Sequence, residues 1–248
     1  DLFVRIEREL DIDTEGQMIA SVLSKKIAAG ATHVVIDLPV GPTAKVRSEE
    51  AAERLAGQLR HTAEGFGLTL RCEFTDGTQP VGRGIGPALE AFDVLAVLRN
   101  EPRAPADLRA RAVRIAGAVL ELGGASAAGA GAALAIATLD SGRAWDKFQR
   151  ICNAQGGLRE PPRAAFVEPL VSMRGGYLTR IDNRKLARLA KLCGAPESPA
   201  AGLHLEVRLG EEVQAGQPLL HLHASTPGEL AYAMDYARSA GDILLVES

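Results

Sequence analysis

Apolar side chains at Met18, Ile19, Val22, Leu23 and Ile27 recur at helical spacing. They predict a helix over residues 14–29 that stops at Gly30. The period then changes. "THVVIDL" (32–38) is a short β-branched run, as in a strand covered on both faces. After the loop "PVGPTAKVR", Ser48 is placed to cap a second helix whose first turn holds Glu49 and Glu50. Leu55, Leu59, Ala63 and Phe66 carry that helix to Gly67, and "LTLRCEF" (68–74) reads as another strand. Pro87 opens a further helix in "GPALEAFDVLAVLRN". Strand and helix alternating at this spacing predict an α/β fold, a parallel sheet with flanking helices.

Residues 106–122 and 127–153 continue as helices, the second with a break at Ser141–Gly142. The pattern shifts at "GGLREPPRA" (156–164), a linker or hinge. Beyond it, strands are predicted at 165–172, 176–181, 203–208 and 218–223, with helices at 183–193 and 227–239 and a last strand in "DILLVE". This is a turn-rich α+β module.

Composition narrows the classes. The 248 residues have room for one large domain or two ordinary ones. With 46% hydrophobic but 4% aromatic residues, aliphatic side chains must build the core. Lys and Arg number 28 against 31 acids, a net charge of −3, which is no electrostatic footprint for nucleic acid. Cys72, Cys152 and Cys193 have no paired spacing, which argues against a disulfide framework or zinc motif and fits a reducing cytoplasm. No apolar run is long enough to span a bilayer, so no membrane association is expected. The small-residue run 123–137 suits tight helix packing. The chain opens on Asp1 rather than Met, so processing or a longer parent is expected.

Several residues can carry chemistry. On the first helix, Ser21 and Lys25 lie one turn apart on one stripe, beside the apolar arc. By spacing alone they are ordinary solvated residues, although a hydroxyl and an ammonium so placed also suit one shared ligand. Lys26 falls inside the arc and must reach past the helix end. Gly82, Gly84 and Gly86 lie between a strand and a helix, where phosphates bind, but they form neither the dinucleotide fingerprint nor a P-loop. Close backbone packing explains them equally. Lys45 and Arg47 follow the first strand, at the end of a parallel sheet where ligands sit, and are possible anion contacts. Of His33, His61, His204, His221 and His223, only His221 and His223 share a strand face. A metal there lacks an identifiable third ligand, so no metal site is expected. "EPLVSMRGGYLTRID" has the outline of a biotinyl or lipoyl hairpin, but Met173-Arg174 stand where a carrier lysine is needed.

"SVLSKKIAAGATHVVIDLPVG" followed by "TDGTQPVGRGIGPALEAFDVL", and later "GAPESPAAGLHLEVRLGEEVQAGQPLLHLHA", closely resemble the thymidine/pyrimidine-nucleoside phosphorylase family, in its branch related to archaeal AMP phosphorylase. The resemblance covers nearly all 248 residues. It implies that 1–30 are part of a helical, base-binding domain, 31–155 an α/β domain and 156–248 a C-terminal α+β module. It also implies a pentosyltransferase using phosphate as co-substrate, with no cofactor, a nucleoside or nucleotide as substrate, and a homodimeric parent. Residue by residue, Ser21 and Lys25 take the family's base-contacting serine and lysine positions. "LFVRIER" matches with a one-residue shift that favours Arg5 over Arg8. The family's phosphate-binding loops lie ahead of this segment, so the segment alone is expected to be inactive. Two alternatives remain, a nucleoside 5′-monophosphate (AMP) phosphorylase and a non-catalytic binding or assembly module.

Overall fold

The computed structural model describes residues 15–247 and opens on helix α1 (Glu15–Ala28). Ile19 and Leu23 on its apolar stripe are buried. Glu15 in its first turn pairs with Arg54 at 3.2 Å, tying α1 to α2 (Glu49–Gly65). Ser48 caps α2 as its position predicts, its Oγ accepting the Ala51 N–H at 3.2 Å. Leu55, Leu59 and Ala63 of α2 pack with Val34 and Leu38 of β1 (His33–Val40) in the first of two apolar clusters. Strand β2 (Thr69–Asp76) runs parallel to β1, with His33 opposite Thr69 and Val40 opposite Asp76.

The predicted parallel sheet is limited to this two-stranded pair among the described residues. The glycine-rich segment forms a two-residue strand, β3 (Gly84–Ile85), which pairs antiparallel with β6 (Gly202–Leu205). The chain is thereby handed to the C-terminal module, and four helices follow in succession: α3 (Pro87–Leu98), α4 (Ala106–Leu122), α5 (Gly131–Asp140) and α6 (Arg143–Ala154). The break between α5 and α6 falls at Ser141–Gly142 as predicted, with Gly142 at φ 79°. Helices α4 and α5 touch through glycine: a Cβ on Gly131 would lie 2.1 Å from the Gly117 carbonyl oxygen.

In the C-terminal module, β4 (Phe166–Val171) and β8 (Pro218–Ala224) join β6 and β3 in a four-stranded sheet of order β3-β6-β8-β4. A second sheet has order β7-β5-β9, from β7 (Glu212–Val213), β5 (Gly176–Ile181) and β9 (Leu244–Glu247). Helix α7 (Asn183–Leu192) is capped by Asp182, and α8 (Pro227–Ala240) by a reciprocal Thr226–Glu229 box. Leu178, Leu186, Leu189, Leu203, Leu205, Leu220 and Leu222 are fully enclosed between these elements. Cys193 lies in the same core, where burial pushes its thiol up to about 12. Among the described residues no helix is long and apolar enough to cross a membrane.

Candidate functional site

A cleft of ≈ 730 Å³ opens at the carboxyl end of the β1–β2 pair. Parallel strands place ligands at this end because the loops leaving them diverge and expose backbone groups there. Met18 and Val22 of α1 form one wall, Lys45 and Val46 of the β1–α2 loop another, and Asn183 and Leu186 of α7 a third. Polar groups gather where the strands end. Thr75 Oγ1 donates to Asp37 Oδ1 at 2.5 Å, and Arg111 from α4 donates to Asp37 Oδ2 at 3.3 Å and to the Asp76 carbonyl. Asn183 Nδ2 donates to the Gly77 carbonyl at 2.9 Å, while its Oδ1 is buried with no partner among the described residues.

The sequence-predicted residues fall unevenly around this cleft. Lys25 Nζ donates to Ser21 Oγ at 3.3 Å, so the two groups meet on one face of α1 as their spacing implies. Neither lines the cleft itself, but Lys25 lies roughly 20° around the helix from Met18, which does. Lys45 lines the cleft, whereas Arg47 is exposed away from its wall. Arg5 lies outside the described residues.

The glycine segment does not offer a phosphate cradle, because its backbone donors already face carboxylates. Gly82 N donates to Asp107 at 3.0 Å, Arg83 N and Gly84 N to Asp93 Oδ2 at 2.6 and 2.7 Å, and Gly86 N to Glu90 at 3.0 Å. Arg208 clamps the segment from the C-terminal module, donating to the Pro80 and Gly82 carbonyls at 2.9 and 2.8 Å and pairing with Asp107. The glycines serve close packing. A Cβ on Gly84 would lie 2.4 Å from the Leu89 carbonyl carbon. Asp93 is the buried anchor that sequence reading passed over; its signal is a carboxylate amid the apolar run of α3.

The histidines also regroup. The shared-strand pair was His221 and His223, but the structure unites His221 with His204 across the β6–β8 ladder, both on Glu206 Oε1, at 2.9 and 3.1 Å. Burial and the neighbouring His204 and His221 push His223 down to about 4. His33 sits beside Thr32 at 3.0 Å and His61 is exposed. Met173, at the β4–β5 turn, is 90% exposed.

Comparison with known proteins finds relatives along the whole chain. Residues 177–243 match the pyrimidine nucleoside phosphorylase C-terminal domain. Over 247 residues the chain is 69% identical to a protein named "Putative thymidine phosphorylase" from Parvibaculum lavamentivorans and 69% identical to one of the same name from Tolumonas auensis. A third so named, from Chelativorans sp., is 66% identical over 248 residues. Each alignment takes in 100% of this chain and 49% of the relative, so the chain spans about half the length of the curated relatives it matches. The resemblance first carried by "SVLSKKIAAGATHVVIDLPVG" thus extends along the entire chain, which is similar to a portion of the thymidine/pyrimidine-nucleoside phosphorylase family that includes its C-terminal domain.

Proposed function

We propose that this chain forms the base-binding side of a thymidine phosphorylase-like pentosyltransferase. The reaction is reversible phosphorolysis of a pyrimidine nucleoside to the free base and a (deoxy)ribose 1-phosphate. Inorganic phosphate attacks the anomeric carbon, and the base departs with the electron pair of the glycosidic bond. Negative charge therefore develops on the base, and a fixed ammonium beside it stabilises that charge more in the transition state than in the ground state. In this reading Lys25 supplies the ammonium, Ser21 orients it and hydrogen-bonds the base edge, and Arg5 joins them. The observation that carries the reading is the Lys25–Ser21 contact at 3.3 Å, on the side of α1 next to the cleft-lining Met18. The names of the relatives support the same chemistry.

The carboxylate-bound glycine segment supports a phosphate site elsewhere, on loops beyond this chain. The 248-residue chain is accordingly proposed to be inactive alone, and its parent to work as a cofactor-free homodimer. One observation favours a second reading, phosphorolysis of a nucleoside 5′-monophosphate such as AMP: Lys45 lines the cleft, where a cation could meet a 5′-phosphate. Assays of the full-length protein with phosphate and thymidine, uridine, AMP or CMP separate the readings. Release of free base from thymidine or uridine is the expected result. Turnover of AMP or CMP alone would transfer the proposal to the nucleotide reading. No turnover of any of the four would remove the enzymatic reading and favour a binding or assembly role.

A further inference from the structure

We propose that His204, Glu206 and His221 form a binding site for a divalent transition-metal ion of the zinc class. Alternation on two paired strands creates the site. In "LHLEV" and "LLHLH", Leu203, Leu205, Leu220 and Leu222 turn into the core. The intervening His204, Glu206 and His221 therefore share the opposite face of the sheet. His204 and His221 are direct cross-strand partners, and Glu206 follows one step beyond β6, where its backbone N–H still donates to the Leu219 carbonyl at 2.9 Å. Three ligands are thus carried on hydrogen-bonded backbone, a firmer platform than a loop.

The donor atoms of all three residues lie within 4.8 Å of one another. An ion held at about 2.0–2.2 Å from imidazole nitrogen and carboxylate oxygen bridges donors up to about 4.2 Å apart, so small side-chain rotations close the set. The chemistry suits zinc, nickel or cobalt better than calcium or magnesium, because two of the three donors are imidazoles. Both histidines now place Nδ1 against Glu206 Oε1. Metal binding replaces these two contacts with coordinate bonds and leaves each remaining ring proton on Nε2.

Side-chain exposures of 38% for His204, 38% for Glu206 and 31% for His221 leave an entry path and an open coordination position. His204 and Glu206 also line a cavity of ≈ 1150 Å³ whose wall carries Arg83, Arg99, Arg103, Arg159 and Arg163. His223, Glu101 and Glu160 share that wall, so a fourth ligand from that side is water, an anion or one of these side chains.

The test uses the full-length protein, stripped with a chelator and titrated with Zn²⁺ by calorimetry. The site predicts one ion per chain that disappears in the double variant His204→Gln/His221→Gln. In Glu206→Gln its affinity falls by about tenfold or more. Co²⁺ provides an independent reading. Visible d–d absorption without thiolate charge transfer is expected for these ligands, which separates them from Cys72, Cys152 and Cys193. Unchanged melting of the metal-free variants establishes that they fold. Should the double variant not fold, Glu206→Gln and the Co²⁺ spectrum of the wild type still decide. Equal Zn²⁺ stoichiometry and affinity in wild type and variants would overturn the proposal, as would a Co²⁺ spectrum dominated by thiolate.

Discussion

The C-terminal core and the helical layer α4–α6 solve the same problem by different physics. In the core, seven leucines from two sheets and α7 are sealed from water, and from Leu203 in β6 and Leu220 in β8 buried leucines alternate with more exposed histidines. In the helical layer, α4 buries only Gly117 and Ala118, α6 buries nothing, and Val119 and Ile151 stand about half exposed. What ties α4 to the sheet is charge: Arg111 to Asp37 at 3.3 Å, Arg114 to Glu73 at 2.9 Å, and Glu121 to Arg71 at 3.0 Å. Burial of aliphatic surface is strong and is not screened by salt, whereas partly buried ion pairs that keep one side toward water contribute less and are partly screened. The module that clamps the glycine segment is therefore the firm part, and the sheet edge bearing the cleft is held by adjustable contacts.

The comparison can be broken in the core first. Leu222→Ala removes a fully enclosed side chain and leaves a cavity, so a loss of about 2–5 kcal/mol is expected from the urea midpoint of the C-terminal transition. A loss below about 1 kcal/mol would mean the core collapses around the gap and is not the firm element. Next comes the joint between the regions. Gly202 has φ 148°, and a Cβ there would lie 2.0 Å from the Ile85 carbonyl oxygen. Gly202→Ala should cost about 1–3 kcal/mol and loosen the β3–β6 pairing, seen as faster amide exchange at Ile85 and Leu203. Unaltered exchange would show that the pairing does not depend on this close approach. Arg114→Ala sharpens the contrast from the weak side. Glu73 keeps Arg71, at 2.6 Å, and the Arg114 side chain is half exposed, so the expected cost is about 1 kcal/mol or less and shrinks in high salt. A salt-independent loss would mark the pair as part of a buried network.

These same contrasts explain what the sequence made legible. The helical spacing of Ile19 and Leu23, the Ser48 cap and the β-branched run 32–38 are local signals, and each produced the element it implies. The two-residue strands β3 and β7 have no periodicity to detect, and β3 is completed only by β6, more than a hundred residues later. That pairing takes the segment after β2 into the C-terminal sheet rather than beside β1 and β2. The candidate site divides along the same line. Ser21 and Lys25 are one turn apart, so helix geometry alone brings them together. Asn183 meets the Gly77 carbonyl across more than a hundred positions, and Glu206 reaches His221 only through the β6–β8 pairing, so topology alone reveals them.

The most direct test of the account is steady-state phosphorolysis by Lys25→Ala in the full-length protein, on the best wild-type substrate. Lys25 is exposed on α1, so the variant should fold with an unchanged urea midpoint. Loss of the ammonium beside the departing base predicts a fall in kcat/KM of about 10²–10³-fold, carried largely by kcat. Wild-type kinetics in a folded Lys25→Ala protein would contradict the assignment of the Ser21–Lys25 pair to the base site.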